Sequence, residues 1–207
     1  MVQTEAPVKV EALPKADCLP EKLERCAVYL AADGTIGFAW EKGVCTLTPL
    51  EAQMSLNLQL GQVICHDAKT VMHQMEHAGF AMEQVLFDTA LAAYNLNPSQ
   101  SDYPISKLAT NFLSLTVEDG DAAACAQAIW HLYPIFQQEL KKHQMEKLYY
   151  EIELPLCAVL YRMERAGVAI DAAQLQQFGA MLTQRIADCE ALIFSYSQEP
   201  FNINSTK

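Results

Sequence analysis

The chain has 207 residues, of which 51% are apolar and 19% are charged, so it can bury a hydrophobic core and is not a disordered protein. Its formal net charge of −11 argues against a stand-alone protein that binds nucleic acid nonspecifically, because phosphate contacts need an excess of Lys and Arg. A piece of a larger DNA enzyme is not excluded. No apolar run reaches the about 18–20 residues of a membrane span, and residues 1–20 lack a signal-peptide block. We therefore expect a cytoplasmic protein without a membrane partner.

The first 25 residues predict a proline-rich linker with two short elements. An apolar alternation over 8–13 predicts an edge strand. Pro20 suits the first turn of a helix, because its missing N–H would be unpaired there, and so predicts a short helix that ends near Arg25.

Five strands and two helices are predicted between residues 26 and 96. Short apolar runs indicate the strands, and Asp33-Gly34 is a strong hairpin signal between the first two. The predicted strands are 26–32, 35–40, 44–47, 63–65 and 85–87. Helices are predicted over 68–78 and 88–96.

The remainder of the chain predicts helices over 105–113 and 121–150, the second with Pro134 as a kink or break. A further helix has apolar residues at helical spacing, and we expect that face to be buried. These residues are Leu148, Ile152, Leu156, Val159, Leu160 and Met163. Gly167 suits a helix C-cap, and Asp171 suits the N-cap of a helix to about Ser197. The order of elements indicates an α/β domain with a mixed sheet and an appended helical segment.

Two patterns of metal-binding or redox residues have simpler interpretations. The seven cysteines are an odd number, widely spaced and without a C-x-x-C pair, which favours buried free thiols over disulfides or a zinc site. Residues 73–77 match the zinc-peptidase pattern H-x-x-E-H, with His66 as a conceivable third ligand. An apolar stripe that includes Val71, Met72 and Met75 instead predicts that the histidines lie on a solvated helix face.

Three segments resemble bacterial DNA polymerase I (family A) and keep the family's order. Residues 151–171 (EIELPLCAVLYRMERAGVAID) resemble the junction into the polymerase domain, where the family has E-x-P-L, then M-E, then G-V-x-[IV]-D. Residues 201–207 (FNINSTK) resemble the F-N-[IL]-N-S start of the thumb. Residues 87–98 (FDTALAAYNLNP) are similar to F-D-T-x-L-x-x-Y-x-L-N-P of the 3′–5′ exonuclease domain.

The resemblance implies a ribonuclease-H-like mixed five-stranded sheet flanked by helices. It implies a 3′–5′ exonuclease-like domain over 1–150, followed over 151–207 by the start of the polymerase domain, with the junction helix and a truncated first thumb helix. The implied partners are DNA, bound through the full-length polymerase, and the remainder of the polymerase chain, in a monomer. No cofactor is expected in this piece, since the Mg²⁺ of synthesis belongs to the polymerase palm, which does not fit in 207 residues.

The exonuclease of this family uses two divalent metals held by carboxylates. The resemblance places Tyr29 and Ala31 at the two acidic positions of the first strand. It places Val71 at the aspartate of the family's N-x-K-x-D motif. On the late helix the counterparts are Ala122 and Ala126. None of these side chains holds a hard cation, so the resemblance implies a vestigial exonuclease-like scaffold with no catalytic residue and no metal site.

Two other hypotheses are kept. An active Mg²⁺- or Mn²⁺-dependent exonuclease could use a rearranged acid set, drawn from Asp33, Asp67, Asp88, Asp119 and Asp121. Among these acids, Asp33 is expected to serve the turn and Asp88 to cap a helix. A stand-alone interaction protein is disfavoured by Ser205, which suits the N-cap of a helix that has no body and so predicts a fragment of a longer chain.

Short polar side chains near the end of the sequence are candidate contacts to duplex phosphates in the polymerase hypothesis. These candidates are Asn202, Asn204 and Ser205.

Overall fold

The structure, a computed structural model, describes residues 10–16, 19–54, 58–80, 82, 85–197, 201–203 and 205. The chain divides into two compact units, one that ends at Arg165 and one that begins at Ala166. The first unit holds the sheet and most helices, and the second unit holds the last long helix. The predicted division at 150/151 concerns the resemblance to polymerase domains and stays a prediction.

A five-stranded mixed sheet forms the centre of the first unit, in the order β3-β2-β1-β4-β5. The strands are β1 (Lys22–Leu30), β2 (Ile36–Trp40), β3 (Gly43–Leu47), β4 (Gln59–Cys65) and β5 (Val85–Asp88). β1 pairs antiparallel with β2 and parallel with β4, and β4 pairs parallel with β5. The predicted mixed five-stranded sheet flanked by helices is confirmed.

Helices cover both faces of the sheet, and all elements described after β5 are helical. They are α1 (Pro49–Met54), α2 (Ala68–His77), α3 (Thr89–Leu96), α4 (Ile105–Leu113), α5 (Ala122–Lys142), α6 (Glu146–Leu148), a π-helical turn (Tyr149–Glu153), α7 (Leu154–Ala166) and α8 (Ala172–Tyr196). The sequence did not predict α1. The caps are as predicted: Gly167 has a φ of +69°, and the Asp171 side chain accepts a hydrogen bond from the Gln174 N–H.

The predicted helix over 20–25 is wrong, because β1 already begins at Lys22. There the chain pairs with β4, and Leu23 is buried, so sheet pairing and burial outweigh the helix preference of Pro20. The edge strand over 8–13 is also wrong for residues 10–13, and residues 8 and 9 lie outside the described part. The chain instead meets β3 at Lys15, and the Pro14 carbonyl accepts a hydrogen bond from the Val44 N–H.

The predicted helix over 121–150 ends earlier, because Gln144 has a left-handed φ of +57°. Pro134 lies inside α5 and does not end it. The predicted burial of the apolar face over 148–163 is wrong. Its six apolar side chains are between 39% and 61% exposed, because helical spacing indicates an apolar face but not an element that covers it.

The sheet separates two hydrophobic cores. Ala27 of β1 packs with Ile64, Phe87 and residues of α3, α4 and α5 on one face. Its neighbours Cys26 and Val28 pack with α2 on the other face. Alternate β1 residues therefore serve different cores, and β1 is buried on both sides.

Helix α5 lies directly on β2 at Gly37. A Cβ at this position would stand 1.9 Å from the Ala122 carbonyl oxygen and 2.4 Å from its carbon. Because glycine has no side chain, the helix backbone can contact the strand backbone here. Ala126, one helical turn further along α5, is fully buried in the core on this face.

Gly37→Ala is expected to lower the free energy of unfolding by about 3 kcal/mol, because the added methyl must push α5 away from β2. Guanidinium unfolding followed by circular dichroism measures the change. Gly120→Ala is the matched control, since nothing lies within 4 Å of a Cβ at that position. A loss at Gly37 no larger than at Gly120 would contradict the contact.

Candidate functional site

The predicted vestigial metal positions fall on both faces of the sheet. Tyr29 lies opposite Gly37 on β2 and packs on the same core as Ala126. Ala31 is buried in the turn after β1, where its carbonyl accepts a hydrogen bond from the Gly34 N–H. Val71 is buried in the core of the opposite face. The structure therefore brings Tyr29 to the start of α5 but does not bring Val71 to the same place.

Uncharged groups join β1 to the loop before α5. The Tyr29 hydroxyl donates a hydrogen bond to the Asp119 carbonyl at 2.9 Å, and Cys125 Sγ donates to the Glu118 carbonyl at 3.4 Å. Burial, with smaller contributions from Cys125 and Asp119, raises the pKa of Tyr29 to about 12. Burial, with Asp119, also raises the pKa of Cys125 to about 12. Both groups are neutral near pH 7, so neither offers an anionic ligand or a general base.

The resemblance implies a pair of divalent cations, and the residues present do not fit them. Hard cations such as Mg²⁺ take carboxylate, carbonyl and water oxygens. The corresponding positions here hold a neutral phenol and aliphatic side chains, and α5 contacts β2 beside them at Gly37. Within the residues that the structure describes, no group of three or more His, Cys, Asp or Glu side chains is placed to hold a metal ion.

Four of the five aspartates considered for a rearranged acid set stabilise turns, loops and helix starts by accepting hydrogen bonds from backbone N–H groups. Asp33 Oδ1 accepts from the Thr35 N–H at 2.9 Å, which confirms its predicted role in the turn. The other three partners are the Thr70 N–H for Asp67, the Ser106 N–H for Asp119 and the Ala124 N–H for Asp121. Each carboxylate already has a local role in the fold.

Asp88, the fifth aspartate, is 3% exposed and lies at the carboxyl end of β5. As predicted, it caps α3, accepting from the Ala90 and Leu91 N–H groups at 2.9 and 3.2 Å. It also accepts from the first N–H groups of α2, those of Asp67 at 3.0 Å and Ala68 at 2.7 Å. One carboxylate therefore satisfies amides at the starts of two helices. The sequence shows the first cap but has no signal for the second, which depends on the parallel pairing of β4 with β5.

A histidine and a tyrosine complete this buried network. Burial raises the pKa of Asp88, while the backbone N–H donors and His66 oppose that shift. Burial lowers the pKa of His66, and Asp88 opposes that shift in turn. The His66 ring lies 2.9 Å from the Thr89 hydroxyl, and the Tyr149 hydroxyl accepts from the Asp88 N–H at 2.7 Å. Sequence reasoning missed Tyr149, whose partner is 61 residues away.

The H-x-x-E-H segment faces α7 through a set of polar contacts that we name the α2–α7 clamp. Glu164 lies 2.7 Å from Lys69 Nζ and 3.0 Å from His73 Nε2. Glu76 pairs with Arg165 at 2.9 Å and accepts from the Tyr161 hydroxyl at 2.7 Å. The members of the motif therefore bind different partners and do not converge on a zinc ion. The prediction that this helix face is solvated is confirmed, because Glu76 and His77 are exposed and the Lys69 and His73 side chains stay partly exposed beside α7.

The three candidate DNA contacts have little structural description. The Asn202 carbonyl accepts a hydrogen bond from the Ser205 N–H at 3.0 Å, which forms a local turn. Asn204 lies outside the described residues. Their contact with DNA stays a prediction.

No helix in the described ranges combines the length and the apolar character that a bilayer span requires.

The chain is similar in sequence to bacterial DNA polymerase I, although no family model matches it. It is 30% identical over 161 residues to DNA polymerase I of Geobacillus stearothermophilus, which covers 68% of this chain and 18% of that protein. The enzyme of Chloroflexus aurantiacus is 31% identical over 163 residues, with 68% and 17% covered. The enzyme of Bacillus subtilis is 29% identical over 162 residues, with 68% and 18% covered. The chain thus spans less than a fifth of these relatives' length.

A solved structure is similar to this chain in fold. It is described as the POL domain of Pol1 from M. smegmatis in complex with DNA primer-template and dNTP. The TM-score is 0.67 at 25% sequence identity, and the match covers 87% of this chain and 35% of that one.

Asp88→Asn is expected to lower the free energy of unfolding by about 3 kcal/mol. The new amide group places a donor against backbone N–H donors at the starts of two helices, in a buried site. Urea unfolding measures the loss. Asp121→Asn is the control and should change little, because Asp121 accepts from one exposed amide and Asn is an equally good N-cap. Equal losses in the two variants would show that the second helix start does not depend on Asp88.

Proposed function

We propose that this chain, a homologue of bacterial DNA polymerase I, is part of a DNA-directed DNA polymerase that acts in replication or repair. In this proposal residues 1–150 form a catalytically inactive 3′–5′ exonuclease-like scaffold, and residues 151–207 begin the polymerase domain. Nucleotidyl transfer belongs to the full-length protein, a cytoplasmic monomer whose partners are DNA and the remainder of its own chain.

The contact of α5 with β2 carries the proposal that the exonuclease-like part is inactive. Two-metal hydrolysis of a phosphodiester needs anionic ligands and space for an attacking water. At the end of β1 the chain offers the neutral Tyr29 and the buried Ala126, and the α5 backbone occupies the space over Gly37. These groups neither hold two cations nor activate a water.

An active exonuclease with a rearranged acid set is the alternative, and the roles of the aspartates disfavour it. To bind a metal, Asp67 or Asp121 must give up the amide at the start of its helix. Asp88 must give up four backbone donors in a buried site. The Asp119 backbone carbonyl accepts from the Tyr29 hydroxyl, and the Asp119 carboxylate already accepts from the Ser106 N–H.

The α2–α7 clamp supports a scaffold role. α7 lies in the segment assigned to the polymerase start, and Glu164 ties it to Lys69 and His73 of the exonuclease-like part. The first compact unit continues to Arg165, so α7 packs as part of that unit. Single exposed ion pairs stabilise little, but a network of several pairs fixes a helix direction. The scaffold thereby sets where the polymerase segment begins.

Incubation with 5′-labelled single-stranded DNA and Mg²⁺ or Mn²⁺ is expected to leave the strand at full length. The physical reason is the missing carboxylate pair beside Tyr29. Denaturing gel electrophoresis reads the strand length, with a proofreading polymerase as positive control and a chelator as negative control. Metal-dependent shortening that Asp119→Ala abolishes would support the rearranged acid set and overturn the scaffold assignment.

Glu164→Lys is expected to speed backbone hydrogen exchange in α7, because it places a third basic group beside Lys69 and His73. The double variant with Lys69→Glu should restore protection, since the pair is then reversed and not removed. Mass spectrometry of α7 peptides measures the exchange rates.

Arg162→Glu on the exposed side of α7 is the matched control for this charge reversal. It should leave exchange close to that of the original chain. Equal exchange in all the variants would show that the clamp does not hold α7.

A further inference from the structure

A groove lies at the opposite end of β1 from the vestigial site. Lys22 and Arg25 of β1, the Trp40 end of β2, Lys42 in the following turn and Trp130 of α5 line it. Its volume is about 740 Å³, within the roughly 300–1,000 Å³ of small-molecule sites. Tyr29 lies seven positions after Lys22 along β1, so the two places are roughly 20 Å apart.

The groove holds both tryptophans of the chain. Trp130 is half-buried and keeps part of its indole at the surface, while Trp40 is almost fully buried behind the wall. An indole offers a large rigid face to planar rings, and base–aromatic stacking is worth about 1–3 kcal/mol per base. The wall of this groove therefore favours a ligand with a flat aromatic ring.

Three basic side chains converge on the groove although the chain has a net charge of −11. The Arg25 Nε donates to Gln62 Oε1 at 3.0 Å, and its guanidinium lies 5.9 Å from the centre of the Tyr133 ring. These two contacts hold the arginine in place and leave its terminal N–H groups as donors. Within the described residues, no ion pair joins Lys22, Arg25 or Lys42 to a carboxylate.

Two acidic residues limit the charge that the groove accepts. Glu24 and Glu41 also line it, so the local balance is three cations to two carboxylates. This balance suits one phosphate group inside the groove, because a second phosphate there would meet the two carboxylates.

We propose that this groove binds a nucleotide, with its base against Trp130 and its single phosphate near Lys22, Lys42 and Arg25. The nucleotide is either a free nucleoside monophosphate or one nucleotide of a single strand. The inference uses only the groove's own residues and does not depend on the polymerase assignment.

Isothermal titration calorimetry of the chain with dAMP and with an eight-residue oligothymidylate tests the proposal. Saturable binding to one site is expected, while deoxyadenosine, which lacks the phosphate, and ribose 5-phosphate, which lacks the base, bind at least tenfold more weakly. If dAMP binds as tightly as the oligonucleotide, the groove takes free nucleotides. If only the oligonucleotide binds, it takes a nucleotide within a strand.

Two variants assign the binding to this groove. Trp130→Ala is expected to weaken binding about tenfold through lost stacking. Lys42→Gln is expected to weaken it several-fold and to reduce its dependence on salt concentration, and it lies in an exposed turn where the fold tolerates it. Lys107→Gln, an exposed lysine of α4 outside the groove, is the matched control and should bind as the original chain does.

The outcomes that overturn the proposal are defined by the same titrations. Absence of saturable binding by both dAMP and the oligonucleotide excludes a nucleotide site. Binding that Lys42→Gln and Lys107→Gln weaken equally places the ligand elsewhere on the surface. Circular dichroism confirms that each variant is folded, and Lys42→Gln decides the question if Trp130→Ala does not fold.

Discussion

The Asp88 carboxylate is the interaction on which the α/β unit depends. It lies at the carboxyl end of β5 and accepts four backbone N–H groups, two at the start of α2 and two at the start of α3. The two helix starts carry unpaired N–H groups and partial positive charge, so one buried carboxyl group that accepts from both stabilises both. The Tyr149 hydroxyl binds the Asp88 backbone and links the π-helical turn to the same point. β5, the starts of α2 and α3 and the π-helical turn therefore all contact Asp88, and an acidic side chain suits the four N–H donors there.

At the other acidic positions implied by the family resemblance, the chain has uncharged side chains. Carboxylates gathered without a cation repel one another and raise each other's pKa values. Tyr29 and Ala126 remove that repulsion, and the small residues at Gly37 and Ala122 let α5 contact the strand backbone. The Tyr29 hydroxyl donates to the Asp119 carbonyl and so links β1 to the loop before α5. The close packing of α5 on β2 is consistent with the proposed loss of metal ligands, because a metal-free cleft gains stability when protein atoms fill it.

The sequence predicts most of the fold because the relevant signals are local. Asp33 in the turn, Asp171 at the helix start and Gly167 at the helix end are all placed as their local preferences require. The wrong secondary-structure and burial predictions arise where contacts with residues distant in the sequence determine the structure. Pairing with β4 converts residues 22–25 from helix to strand, and the apolar face of α7 shows its periodicity but not its exposure. For the site, the loss of the metal-binding carboxylates stays a prediction, and the second helix start capped by Asp88 and the role of the Tyr149 hydroxyl come only from the tertiary structure.

Charge is distributed unevenly along β1, so the two ends of this strand differ in their electrostatic environment. At the carboxyl end, Tyr29 is neutral, and the nearby acids are engaged with backbone N–H groups. At the amino end, Lys22 and Arg25 stand beside a half-exposed tryptophan in a chain that is acidic overall. Gln62 and Tyr133 fix the guanidinium of Arg25 in place. The lysines have no such protein partner among the described residues, and an anionic ligand is the partner that their positions suit.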